Sequence, residues 1–247
     1  MIITSRQNAI IKAFKKPEGA FVVESEKLIR EAVAAGFVLQ HLLYTEKSRM
    51  NLPGIGITPD LSEYISDTKS PQGVFAMFER REYSGFEFTA ATRVMLLDGI
   101  QDPGNVGAII RSCEAFGFDC VICSRDCADV YNSKVIRASA GSVFRLPSVK
   151  RDLYEAISEL KRANFKIYAA ALDEDAVPLR QLSTVNCQLS TDDSQLSTVI
   201  GNEGRGVSQS VMELCDSKVY IPIRGAESLN AAVAAGIIAY EIGRTVS

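Results

Sequence analysis

The first place in this chain where chemistry could be done is a turn that feeds a helix carrying an arginine. The stretch is Arg93-Val-Met-Leu-Leu-Asp-Gly-Ile-Gln-Asp-Pro-Gly-Asn-Val-Gly-Ala-Ile-Ile-Arg111. Its apolar run, Val94 to Leu97, reads as a buried parallel strand. Asp102-Pro103-Gly104-Asn105 then breaks the strand with four turn-forming residues in a row. A helix follows, with Asn105 as its expected N-cap and Val106, Ile109, Ile110 and Cys113 on one apolar stripe. Arg111 lies off that stripe. Helical side chains lean towards the N-terminus, so Arg111 is expected to lie over Gly107, which has no side chain, and to reach the turn at Asn105. A positive charge aimed at a Gly-rich turn suits a ligand at the carboxyl end of a strand. The same residues also read as an ordinary β-α connection, and the stretch alone does not choose.

A second candidate is Gly201-Asn-Glu-Gly-Arg-Gly206, which follows the apolar run Thr198 to Ile200. Glycines let backbone approach a ligand closely, and Glu203 adds an acceptor. The loop lacks the Gly-Lys-Ser/Thr ending of a phosphate loop and the Gly-x-Gly-x-x-Gly spacing of a dinucleotide site. A third such stretch runs from Ile221-Pro-Ile through Ser228, the expected N-cap of an Ala-rich helix from Leu229 to Ile242. On that helix Leu229, Ala232, Val233, Gly236, Ile237 and Tyr240 fill one stripe, and little polar face remains. It should be buried on most sides, against its own domain or a partner subunit.

The elements that must position these loops read as repeated βα units, which argue for a doubly wound parallel sheet. Strands are expected at 94–97, 118–123, 165–171 and 198–201, a helical pattern over 131–144 broken at Gly141, and an amphipathic helix over 153–163. Before them, residues 1–82 read as a small α/β domain. It has helices over 5–16, 26–35 and 61–66, strands at 21–24, 37–44 and 74–78, and a loop over 53–59. Residues 83–92 read as a linker and 93–247 as the second domain. In the first helix Ile10, Ile11 and Phe14 face inward, while Asn8, Lys12, Lys15 and Lys16 share the outer face with Arg6 nearby. That face is either solvated charge or a phosphate-contacting surface. Gln-Leu-Ser-Thr recurs at 181, 188 and 195; the segment 181–198 is too polar and short for a solenoid, and reads as surface without a function.

Composition narrows the classes. The 247 residues are 47% hydrophobic and 23% charged, the balance of a globular protein. No apolar run is long enough to span a bilayer, and Met-Ile-Ile-Thr-Ser-Arg does not read as a signal peptide, so the expected location is the cytoplasm. A net charge of −3 argues weakly against a nucleic-acid partner, though a sum conceals local basic patches. Cys120, Cys123 and Cys127 are close in sequence, but Cys120 and Cys123 should point to opposite faces of a strand, and His41 is remote. No metal is expected, and the thiols read as buried and reduced. His41 reads as a strand surface residue.

Taken together, the three loops resemble the three motifs of the SpoU (TrmH-type) branch of the SPOUT RNA methyltransferases. The matching residues are Asn105-Val-Gly-Ala-Ile-Ile-Arg111, Ile200-Gly-Asn-Glu-Gly-Arg-Gly206, and Ile221-Pro-Ile followed by Ser228-Leu-Asn230. The N-terminal part resembles that family's substrate-binding domain at Thr4-Ser-Arg-Gln-Asn8, Phe21-Val-Val-Glu24, Glu31-Ala32 and Pro71-Gln-Gly-Val74. The resemblance implies an α/β fold whose C-terminal mostly parallel sheet is flanked by helices and tied in a trefoil knot, behind a small ribosomal-protein-like α/β domain. It also implies S-adenosylmethionine as cofactor, a homodimer, and methylation of a ribose 2′-hydroxyl in rRNA or tRNA.

Residue by residue, the resemblance makes Asn105, Arg111, Glu203, Ser228 and Asn230 the catalytic constellation. It makes Gly201, Ile221 and Leu229 the cofactor-binding positions and sets Ala171 beside the adenosine. It also favours Arg6, Lys12, Lys15 and Lys16 as an RNA-binding face. In the family the arginine matching Arg111 is proposed as the base. A guanidinium resists losing its proton, at a cost of roughly 8–9 kcal/mol near neutral pH. Arg111 is therefore expected to stay charged and to hold a phosphate or the developing alkoxide, with Glu203 and Asn230 as holders. Two other readings remain: a catalytically silent RNA-binding protein of the same fold, and a small-molecule α/β enzyme that uses the glycine loops for a nucleotide.

Overall fold

The computed structural model describes residues 2–46, 48, 52–81, 83, 91–181, 195–225 and 227–243. Short apolar runs separated by turn residues build the first sheet. Its elements are β1 (Ile2–Ile3), α1 (Ala9–Lys15), β2 (Ala20–Glu24), α2 (Glu26–Ala34), β3 (Leu39–Tyr44), β4 (Ile55–Ile57), α3 (Pro59–Ile65) and β5 (Val74–Glu79). The strand order is β1-β4-β3-β5-β2; β5 runs antiparallel to β2 and β3, and β4 parallel to β1 and β3. Two of these strands go beyond the sequence reading. β1 is too short to show a pattern, and β4 lies inside the stretch expected to be a loop, carried by Ile55 and Ile57 between glycines and prolines. Asn8 is not on the outer face of α1 but caps it, accepting from Ile10 N at 2.9 Å. Ile11 and Phe14 are buried, while Ile10 is half-exposed. His41 is exposed on β3, as expected.

The second sheet is parallel throughout. Its elements are β6 (Arg93–Asp98), α4 (Pro103–Ala115), β7 (Cys120–Cys123), α5 (Ser133–Ala138), β8 (Ser148–Lys150), α6 (Leu153–Arg162), β9 (Lys166–Ala170), β10 (Val177–Pro178), β11 (Leu196–Gly201), α7 (Gln209–Met212), β12 (Ser217–Tyr220) and α8 (Ala231–Ile242). A 3-10 turn, Ser142–Phe144, follows α5 after Gly141. The strand order is β10-β12-β9-β11-β6-β7-β8, with every pair parallel. Helices cover both faces. Val106, Ile109 and Ile110 of α4 and Ala235, Ile238 and Ile242 of α8 pack on one; Leu153, Ile157 and Leu160 of α6 and Val211 of α7 pack on the other. Cys123 faces the first of these cores and Cys120 the second, as the strand alternation requires. Cys113, Cys120, Cys123, Cys127 and Cys215 are free thiols, the first four buried. No group of metal ligands occurs among the described residues. No helix among them is long and apolar enough to cross a membrane.

The two sheets share one continuous apolar core. α1 and α3 cover one face of the small sheet, with Ile11, Phe14, Leu61 and Ile65. The opposite face, with α2, packs against α5 and the 3-10 turn. Phe21 stacks on Tyr131 at 4.5 Å between centroids, and Phe37 meets Phe144 edge-on at 5.5 Å. Charges close the rim of this contact. Arg80 pairs with Asp129 at 2.5 Å, and Arg145 bridges Glu31 at 3.0 Å to Glu114. Residues 84–90 of the expected linker, 83–92, lie outside the described residues, as do the first two Gln-Leu-Ser-Thr copies apart from Gln181. The third copy is not surface: β11 starts at Leu196, and Ser197 and Thr198 are buried in the centre of the sheet.

Candidate active site

β6, β9, β11 and β12 all run the same way, so their carboxyl ends open onto one side. β6 ends at Asp98, whose carboxylate accepts from Ser208 N at 2.8 Å, tying the strand to the loop beyond β11. The turn that follows is braced from behind. Gly99 N donates to Ser124 Oγ at 2.9 Å, and Ile100 N to Cys127 Sγ at 3.3 Å. A hydrogen bond from Cys123 is the largest cause holding the Cys127 thiol below its ordinary range, at about 7, against the opposing effect of burial; Ser124 and the Ile100 and Gly99 amides add to it. From the front, Asn202 Nδ2 donates to Gly99 O at 2.8 Å.

Asp102, not Asn105, caps α4. Its carboxylate accepts from Asn105 N at 2.9 Å, and Pro103 occupies the first helical turn, where a missing N–H costs nothing. The correction matters because it frees the Asn105 side chain. Asn105 Nδ2 donates to Glu203 Oε1 at 2.5 Å, and Asn105 Oδ1 accepts from Asn230 Nδ2 at 3.1 Å. Asn230 in turn caps α8, its Oδ1 accepting from Ala232 N at 2.9 Å and Val233 N at 3.3 Å. The sequence reading gave that cap to Ser228 and began the helix at Leu229; the structure starts it at Ala231. One asparagine thus joins the three Gly-rich loops.

Gly107 has a different purpose from the one its spacing suggested. A Cβ there would come within 2.6 Å of Ala138 Cβ and Val135 O, so the glycine lets α4 seat against α5. Arg111 is exposed and has no hydrogen-bond or ion-pair partner among the described residues. The stripe expected on the last helix is also turned. Ala231, Ala235, Ile238 and Ala239 are buried, while Val233 and Tyr240 are 50% and 64% exposed.

Beside the Asn105 junction lies a cleft of about 420 Å³. Ala171, Gly201, Ile221 and Leu229, the positions expected to bind a cofactor, all line it. Ser228 and Glu203 line it too, whereas Asn105, Arg111 and Asn230 do not. Gly201 is required there: a Cβ would lie 2.0 Å from the backbone of Gly206 and Val207. Sequence reasoning missed Asn202, which reads only as a turn residue, and Glu227, an exposed acid on the cleft wall. Far from this site, Arg6 and Lys15 come together over the ring of Tyr64, at 4.7 and 5.3 Å from its centroid. Lys12 and Lys16 are exposed. Tyr64, which had drawn no attention in the sequence, organises half of that basic face.

Residues 92–240 match the model of the SpoU rRNA Methylase family. The chain belongs to that family. It is 31% identical to the 23S rRNA (guanosine(2553)-2′-O)-methyltransferase RlmP of Bacillus subtilis (strain 168), over 97% of this chain and 98% of that protein. Among solved structures it is similar to the SpoU methyltransferase AviRb from Streptomyces viridochromogenes in complex with AdoMet. The TM-score is 0.79 and the identity 30%, over 95% of this chain and 97% of that one. It is also similar to an AdoMet-bound rRNA methyltransferase from Sinorhizobium meliloti, with TM-score 0.81 and identity 25%, over 98% and 96%.

Proposed function

We infer that this chain is an S-adenosylmethionine-dependent methyltransferase that methylates a ribose 2′-hydroxyl in rRNA. The observation that carries the reading is the Asn105 junction, which gathers the three motif loops beside one cleft. At about 420 Å³ the cleft falls in the usual size range of cofactor sites, ~300–1,000 Å³. Ile200, Val219, Ile221 and Leu229 offer apolar walls suited to an adenosine, and Glu227 offers a carboxylate suited to the ammonium group of the methionine end. Ala171, Gly201, Ile221 and Leu229 would hold the cofactor. When bound, S-adenosylmethionine supplies an activated methyl group.

The chain's own work is to place the ribose and manage its charge. Glu203 and Asn230, held by Asn105, orient the acceptor nucleotide. Ser228, on the cleft wall, positions its ribose. Arg111 keeps its proton and offers a guanidinium to a neighbouring phosphate or to the oxygen as negative charge develops on it. Lacking an ion-pair partner among the described residues, it is free for that role. The hydroxyl proton then leaves late, to water or phosphate. Much of the acceleration comes from positioning.

The same proposal covers the larger organisation. Residues 1–82 bind the RNA substrate through Arg6, Lys12, Lys15 and Lys16; 83–92 link them to the catalytic part, 93–247, which carries the trefoil knot. The exposed stripe with Val233 and Tyr240 supports a homodimer, and the protein acts in the cytoplasm without a metal. Calorimetry with S-adenosylhomocysteine tests the cofactor site, and no binding would sink the reading. Mapping 2′-O-methylation in rRNA and tRNA, from cells with and without the protein, tests the substrate. A silent RNA-binding member would leave that map unchanged.

A further inference from the structure

Each of the three motifs exposes one arginine. Arg111 stands on α4, Arg205 in the loop after β11, and Arg224 in the loop after β12. None has a hydrogen bond from its guanidinium or an ion pair among the described residues. Gly204 and Gly206, on either side of Arg205, line the cleft, as does Ile223 before Arg224, but neither arginine does. Arg205 thus lies between two residues of the cleft wall and Arg224 directly follows one, without either lining the cleft itself. The base of Arg205 is pinned. Asn202 Oδ1 accepts from Gly204 N at 2.9 Å and Arg205 N at 3.3 Å, and Asn202 and Gly206 close the turn with two backbone bonds. The glutamates in these loops have other places: Glu203 is bonded to Asn105, and both Glu203 and Glu227 line the cleft.

We propose that Arg205 and Arg224 bind the RNA phosphates flanking the target ribose, completing with Arg111 a rim of three guanidinium groups. The inference rests on the rRNA methyltransferase reading and adds the phosphate contacts of the acceptor strand to it. The physical need is clear from the charge. A chain with net charge −3 gains no general attraction for RNA, so the strand must be held by local cations. An unpaired guanidinium presents a planar fork of donors that fits phosphate oxygens in pairs. Arginines on one helix and two separate loops fix direction as well as position.

The test is filter binding of an unmodified 23S rRNA transcript to the full-length protein across a salt series. It compares the wild type, the double variant R205A/R224A and the double variant R205K/R224K. S-adenosylhomocysteine calorimetry and steady-state kinetics are run on the same preparations. Losing two phosphate contacts on a single strand should lower the slope of log K against log salt by about 1.4 and weaken binding on the order of tenfold. KM for RNA should rise to match, with kcat little changed and S-adenosylhomocysteine affinity unaltered. The lysine variant should keep the slope. An unchanged slope in R205A/R224A overturns the inference, because the arginines are then only solvated charges. So does a parallel loss of S-adenosylhomocysteine affinity, which would mean that they merely shape the loops. A wild type that binds S-adenosylhomocysteine but no RNA, or neither, overturns the methyltransferase reading itself and this inference with it.

Discussion

Both ends of the Asn105 carboxamide are engaged on other loops, one with Glu203 and one with Asn230. Asn105→Ala removes both links at once, and turnover should fall on the order of 10²-fold, the scale of a small misplacement of reacting groups. S-adenosylhomocysteine affinity should hold, because Asn105 does not line the cleft. Asn230→Asp is the finer probe: it keeps an oxygen to cap α8 but loses the donor to Asn105, so turnover should drop while the melting temperature stays near the wild-type value. Arg111→Lys separates charge from shape. A guanidinium role predicts poor turnover with an unmoved pH profile, whereas near-normal turnover with a shifted profile would contradict it. Asn105, Glu203 and Arg111 were legible in the sequence as types at a spacing, and Asn230 through the family resemblance. The bonds among them were not, because Asn105 and Asn230 are 125 residues apart and only the folded chain makes them neighbours. Asn105 reads as the N-cap in the sequence, yet Asp102 takes the position because Pro103 fills the first turn and leaves Asp102 just outside it.

At the scale of elements, apolar runs and caps were enough to find most helices and strands of the parallel sheet. β1, β4 and β10 escaped because two or three residues cannot display an alternation. The last helix misled for another reason: apolar all round, it has no periodicity to say which stripe faces inward. Gly107 was noticed, but its reason lies on the neighbouring helix. Gly107→Ala would press a methyl group against Val135 O, Ser139 N and Ala138 Cβ, forcing α4 and α5 apart. A loss of about 1–3 kcal/mol in denaturant unfolding is expected. A variant as stable as the wild type would show that the two helices can part freely.

At the scale of the molecule, the division into two sheets was readable, but the single core that runs through both was not. Phe21, Phe37, Tyr131 and Phe144 come from distant parts of the chain, and each alone looks like any core residue. The ion pairs on the rim of that core set an acid limit. Burial alone would raise Asp129 and Glu114, yet Arg80 and Arg145 hold both carboxyls below their ordinary range. Carboxyls depressed in the folded state stabilise it above their unfolded pKa, and that contribution is lost as the pH falls through the folded values. The urea midpoint should thus stay level down to about pH 5 and fall below about 4. The double variant Arg80→Met, Arg145→Met should lose part of that dependence; an unchanged acid profile would show that solvent screens the pairs completely. The destination of the methyl group decides the reaction. Purified protein should be given labelled S-adenosylmethionine and unmodified 23S rRNA, and the product nucleotide analysed. The prediction is one 2′-O-methylated ribose, formed by the wild type and on the order of 10²-fold more slowly by Asn105→Ala. Label on a base, or no transfer from a protein that binds S-adenosylhomocysteine, would contradict it.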